Sequence, residues 1–162
     1  MGIKIGMELE FHLLDENGKV VNRAGDVLSH KYNGGNIIKE LSKSMVEVIA
    51  PPSDNLDLVK NNFKKELLNL KQITNDLNLY VMPSSSIGND VEIISNDSER
   101  ERGMKKRLIL GYYLRDLEHH ICGTHIHVDR CKDEQKLFNQ YLLMQAMDPL
   151  FSLMSSTPFF MG

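Results

Sequence analysis

Polar and apolar positions alternate along Gly6-Met7-Glu8-Leu9-Glu10-Phe11, the period of a half-buried β-strand. The first strand is read from Ile3 to Leu14, with Glu8 and Glu10 on one face and Met7, Leu9 and Phe11 on the other. The same period recurs in Gly123-Thr124-His125-Ile126-His127-Val128-Asp129. There His125, His127 and Asp129 share a face, and Thr124, Ile126 and Val128 read as core. Met45-Val46-Glu47-Val48-Ile49 sets a lone acid in an apolar strand, which Pro51-Pro52 should end. Asn17-Gly18 predicts a hairpin returning through Lys19-Val20-Val21. Asn22 to Asn36 reads as a loop with a short helical piece near Asp26 to His30. Ser53-Asp54 predicts a helix cap, and Leu56, Val59, Phe63, Leu67, Leu70 and Ile73 recur at helical spacing over Asn55 to Leu77. A short strand, Leu79 to Met82, and a polar loop, Pro83 to Asn96, follow. A second helix is predicted over Asp97 to His120. A third starts at Lys132, and Pro149 should end or kink it. These elements predict an α+β fold, a mainly antiparallel sheet with helices on one face, as a single domain over residues 1–162.

Composition narrows the function. The chain has 162 residues, 41% hydrophobic and 25% charged, enough to bury one core. A net charge of -3 argues against binding nucleic acid by phosphate neutralisation. No apolar run approaches the ~20 residues of a membrane span, and no signal-peptide pattern opens the chain, so the expected compartment is the cytoplasm. Cys122 and Cys131 are expected to be free thiols. The apolar ending Thr157-Pro158-Phe159-Phe160-Met161-Gly162 suggests a fragment, or a surface that a partner covers.

The candidate chemistry lies in the charged strand faces. Clustered carboxylates on one sheet face repel one another unless a cation sits between them. Glu8, Glu10 and Glu47 with one imidazole would suit Mg²⁺ or Mn²⁺, whereas structural zinc would want more Cys or His. His125 and His127 are the imidazoles placed for function. His119 and His120, at a predicted helix end, are read as meeting solvent or the helix dipole, and His12 and His30 carry no pattern. Arg100, Arg102, Lys105, Lys106 and Arg107 form a basic cluster that either meets solvent or contacts phosphate. GxxxxGK[ST], GxGxxG and a Ser-His-Asp spacing are absent.

Gly6-Met7-Glu8-Leu9-Glu10, Ser44-Met45-Val46-Glu47, Gly123-Thr124-His125-Ile126-His127-Val128 and Ser155-Ser156-Thr157-Pro158-Phe159-Phe160-Met161-Gly162 occur in one order. In that order they resemble the N-terminal half of the glutamate–cysteine ligase type 2 family, ATP-dependent carboxylate–amine ligases related to glutamine synthetase. The resemblance implies half of a funnel-shaped antiparallel sheet with divalent cations at its narrow middle. It implies cation ligation by Glu8, Glu10, Glu40, Glu47 and His125, with Glu8, Glu10 and Glu47 as the catalytic acids. His127, Arg102 and Lys105 would meet the nucleotide, and Lys43 stands where other members carry an acid. The implied cofactors are ATP and Mg²⁺ or Mn²⁺. The implied substrates are a glutamate-like carboxylate and an amine, joined through an acyl phosphate. The chain alone is expected to have little ligase activity, and to oligomerise or to need its missing C-terminal half. Two further readings stay open: a non-catalytic nucleotide- or metal-binding module of the same fold, and a metal-dependent hydrolase built on the H-x-H-x-D strand.

Overall fold

The computed structural model describes residues 2–82, 86–87, 92–96, 109 and 119–154. β1 (Ile5–Leu14) is the centre of a five-stranded sheet. One of its edges carries β3 (Met45–Ser53), which in turn carries β2 (Ile37–Lys39). The other edge is divided between two strands, β5 (Thr124–Val128) against Ile5 to Leu9 and β4 (Tyr80–Met82) against His12 to Leu14. Every pairing is antiparallel. The change of partner falls at Glu10, whose backbone N–H donates to the Gly123 carbonyl at 3.1 Å.

The period-two pattern decides which face is core. Phe11 and Leu13 lie opposite the site acids and meet Val46, Val48 and Ala50 of β3 in one cluster. α2 (Leu56–Asp76) lays Val59, Phe63, Leu70 and Ile73 over that face. Each such side chain is worth about 1.5–3 kcal/mol when fully buried. α1 (Ala24–Leu28) adds Ala24 and Val27 to the same cluster. Both helices therefore cover one face of the sheet and leave the other to Glu8, Glu10 and His12.

The predicted elements that fall on the described residues are found, with four local differences. Gly18 adopts φ +77°, and the Asp15 carboxylate accepts from the Asn17 and Lys19 amides, both at 2.9 Å, closing the expected turn. Its return strand shrinks to a single bridge between Leu14 and Val20. Pro51 and Pro52 do not end β3 but lie within it. The register between β1 and β3 gains one residue there, Met7 facing Ala50 and Ile5 facing Ser53. A bulge accommodates prolines, which have no N–H to give a ladder. The cap of α2 is Asn55, whose Oδ1 accepts from the Leu58 amide at 3.1 Å, while Ser53 Oγ accepts from the Asn55 amide. α3 (Glu134–Met154) runs through Pro149, and none of its residues is buried; Phe138, Tyr141, Leu143, Leu150 and Leu153 remain exposed. Most of the predicted second helix, with Arg102 and Lys105, and the ending 155–162 lie outside the described residues. No helix among the described residues is long and apolar enough to cross a membrane.

Candidate metal centre

Strand pairing brings together residues far apart in the chain. Glu8 pairs with His125 and Gly6 with His127 across β1 and β5, and Glu10 pairs with Glu47 across β1 and β3. Because paired residues project to the same side, these five side chains converge on the face away from the core. His125 Nδ1 stands 3.4 Å from Glu8 Oε2 and 4.0 Å from Glu47 Oε1. His127 Nε2 is 2.8 Å from Glu8 Oε2. Glu10 Oε2 accepts from the Gly123 amide at 2.7 Å. Two triplets of donor atoms lie within 4.8 Å of one another: Glu8, His125 and His127, and Glu10, Glu47 and His125.

Gly123 shapes this cluster by what it lacks. A Cβ there would sit 2.6 Å from His125 Nε2, so the imidazole can fold back over position 123 only because nothing projects from it. With Nε2 against the backbone, Nδ1 is the nitrogen turned toward the carboxylates.

The acids differ in charge state. Burial pushes the Glu47 carboxyl up, the neighbouring Glu8 charge pushes it further, and Glu40 and Glu10 add to the effect, bringing it to about 8. Glu47 thus holds a proton at neutral pH and donates it toward Glu8. For Glu8, burial acts upward, but hydrogen bonds from His127, Glu47 and His125 and the His127 charge outweigh it and hold the carboxyl below its ordinary value. Glu40 is half-buried just beyond β2, close enough for its charge to act on Glu47 but outside both donor triplets. The Cys122 thiol is buried and pushed up to about 12 by that burial and by the Glu10 charge, so it is an inert free thiol.

Three sequence expectations need correcting. Asp129 lies past the end of β5, and its carboxylate accepts from the Lys4 amide at 3.3 Å instead of joining His125 and His127. Thr124 and Ile126, read as core, are exposed, Ile126 by 50%, because α1 and α2 pack chiefly on β1, β2 and β3 and leave β5 largely uncovered. His119 is buried, its Nε2 bonded to Ser95 Oγ at 3.0 Å, and does not face solvent. One residue was missed. His12 is fully buried on the same side of β1 as Glu8 and Glu10, with its Nδ1 3.3 Å from Ser44 Oγ, which meets Ser42 Oγ at 2.8 Å. Burial drives its imidazole down to about 4, so it is neutral. The alternation that paired Glu8 with Glu10 also places His12 on that side; only the lack of a recognisable motif hid it.

No family model matches the chain. A protein of Frankia casuarinae that carries the name glutamate–cysteine ligase 2-2 is 27% identical over 164 residues, covering 99% of this chain. The chain is a relative of the glutamate–cysteine ligase 2 proteins. It spans 18% of that ligase relative's length, so it matches a part of a much longer protein. Two solved structures share the fold. A bifunctional glutathione synthetase from Pasteurella multocida aligns with a TM-score of 0.59 at 18% identity, over 85% of this chain and 18% of its own. The glutamate–cysteine ligase of Francisella tularensis, solved with AMP, aligns with a TM-score of 0.55 at 21% identity, over 90% and 30%. These likenesses show the fold, a mainly antiparallel sheet with helices.

Proposed function

We propose that this chain is the cation-holding part of an ATP-dependent carboxylate–amine ligase, acting on a glutamate-like carboxylate and an amine through an acyl phosphate. The observation that carries the reading is the convergence of Glu10, Glu47 and His125 from three strands, with Glu47 buried in an apolar frame. A buried acid whose proton is shared with a neighbour fits a site that gives up that proton to a metal. Glu8, Glu10, Glu47 and His125 would hold Mg²⁺ or Mn²⁺, with Glu40 supplying charge from behind. When bound, such a cation neutralises phosphate oxygens and orients them for transfer. The chain's own part is positional. Glu10 is clamped by the Gly123 amide, Glu8 by the two imidazoles, and His125 by the absence of a side chain at Gly123. Arg102, Lys105 and His127 are assigned to the nucleotide phosphates on the strength of the family resemblance.

A hydrolase built on H-x-H-x-D loses support because the Asp129 carboxylate accepts from the Lys4 amide and belongs to neither donor triplet. The exposed apolar length of α3 supports the view that further protein, from a second copy or from the rest of a ligase, completes the site. The test is calorimetric titration of Mn²⁺, then ATP with Mn²⁺, into the chain and into Glu47→Gln and His125→Ala. Binding by the wild type that both folded variants lose is the expected result. Equal binding by all three, or Mn²⁺ binding with no response to ATP, would sink the ligase assignment. The chain alone should form little amide from ATP, glutamate and an amine, and vigorous synthesis would show that it needs no complement.

A further inference from the structure

A cavity of about 310 Å³ lies where α1 meets the turn between β2 and β3, with Asn22, Arg23, Lys39, Lys43 and Asn96 in its wall. That volume is at the lower end of the range of small-molecule sites. The cavity stands on the other side of the sheet from the acids. Lys39 pairs with Val46, a core residue, whereas Glu47 pairs with Ile38 and faces away from the helices. Backbone and amide bonds hold the rim. The Ala24 N–H donates to the Lys43 carbonyl and the Lys43 N–H to the Ile94 carbonyl, both at 2.8 Å. Asn22 Nδ2 donates to the Glu92 carbonyl at 3.1 Å, and Asn96 Nδ2 to the Glu40 carbonyl at 2.7 Å. Each of these side-chain amides keeps a second N–H with no hydrogen-bond partner among the described residues.

Charge decides what fits. Arg23 Nε donates to Asp26 Oδ2 at 2.7 Å, so the acid in the wall is committed to the guanidinium. Lys39 and Lys43 have no ion-pair partner among the described residues. Two uncompensated ammonium groups therefore line the cavity, in a chain whose net charge is -3. We propose that this cavity binds a small phosphoryl anion, held by Lys39 and Lys43 with the spare amide hydrogens of Asn22 and Asn96. An ammonium is a compact point charge that meets a tetrahedral phosphate from any side. A planar carboxylate is better matched by a guanidinium, and Arg23 is already engaged. Inorganic phosphate and the phosphate of a mononucleotide offer the same chemistry. Bound there, the anion ties α1 to the turn that leads into β3 without touching the acid cluster. The cavity is independent of the ligase reading, because it shares no residue with either donor triplet.

The experiment is separate titration of inorganic phosphate, AMP and glutamate into the isotope-labelled chain in EDTA, followed by amide chemical shifts. Wild type, Lys39→Ala, Lys43→Ala, Lys43→Arg and Glu47→Gln are compared, each checked for folding by circular dichroism. Saturable shifts should concentrate at Ala24, Gly25, Lys43 and Asn96. Either alanine change should weaken phosphate about tenfold, while Lys43→Arg keeps most of the affinity and Glu47→Gln matches the wild type. Affinity should fall as NaCl is raised. AMP that shifts the same amides and binds at least about tenfold tighter than phosphate supports the site with a nucleotide as its ligand. Equal affinity supports it with free phosphate. Shifts gathered around Glu8, His125 and His127, unchanged affinity in both alanine variants, tighter binding of glutamate than of phosphate, or no saturable shift would each overturn it. None of these outcomes bears on Mn²⁺ binding through Glu47, which calorimetry reads separately.

Discussion

Glu47→Gln should make the metal-free protein more stable at alkaline pH and unable to hold its cation. Glutamine keeps the shape and the donor toward Glu8 but carries no charge. The Glu47 carboxyl rises from its ordinary 4.5 to about 8. Between those values the folded chain holds a proton that the unfolded chain has released, so wild-type stability falls as pH climbs through that window and levels off above it. At about 1.4 kcal/mol per pKa unit, the loss is on the order of 5 kcal/mol by pH 9. Urea unfolding in EDTA at pH 5, 7 and 9 measures it. With a urea slope of about 2 kcal/mol/M, the variant's midpoint should exceed the wild type's by about 2.5 M at pH 9 and by little at pH 5. Saturating Mn²⁺ should reverse the order, because a metal favours the deprotonated wild-type carboxylate and has nothing to gain from the amide. Parallel pH curves, or a variant weaker than wild type at pH 9, would refute the placement of Glu47 as a buried acid pressed by Glu8.

Gly123→Ala should leave the fold intact and lower Mn²⁺ affinity at least about tenfold in calorimetric titration, since the new methyl must push the His125 ring off its carboxylates. Leu70→Ala, at a side chain 1% exposed beneath the sheet, should cost about 2–5 kcal/mol in urea unfolding without altering the Mn²⁺ affinity of the folded chain.

The candidate site was legible where a two-residue period met residues that dislike burial. Glu8 with Glu10, and His125 with His127, announced a face, and Glu47 was conspicuous among Val and Ile. Which strands would be neighbours was not legible, because pairing of β1 with β5 spans more than a hundred residues of chain and leaves no local mark. The alternation overreached at Asp129, where β5 stops and a backbone amide competes for the carboxylate. Proline rules failed at Pro51 and Pro52 for a related reason: a bulge excuses the missing donors, and only the register reveals it. His12 escaped notice because a neutral buried imidazole looks like any other histidine in a list of letters. Arg102 and Lys105 lie outside the described residues, so their assignment rests on sequence alone.

β5 brings both imidazoles to the site, yet its own side chains are exposed or half-buried along its whole length. It is fastened by its ladder to β1 and by the exchange between Glu10 and Gly123, without the apolar cover that secures β1 and β3. Segments held in this way open at a free energy below that of global unfolding. The nitrogen donors would then come and go with the strand, while Glu8, Glu10 and Glu47 stay on the rigid part of the sheet. An ion that bridges the two parts is a staple as well as a cofactor, since it binds only the closed form and stabilises it in proportion to its occupancy. Amide hydrogen exchange in β5 would then report how much of the site is assembled at any moment.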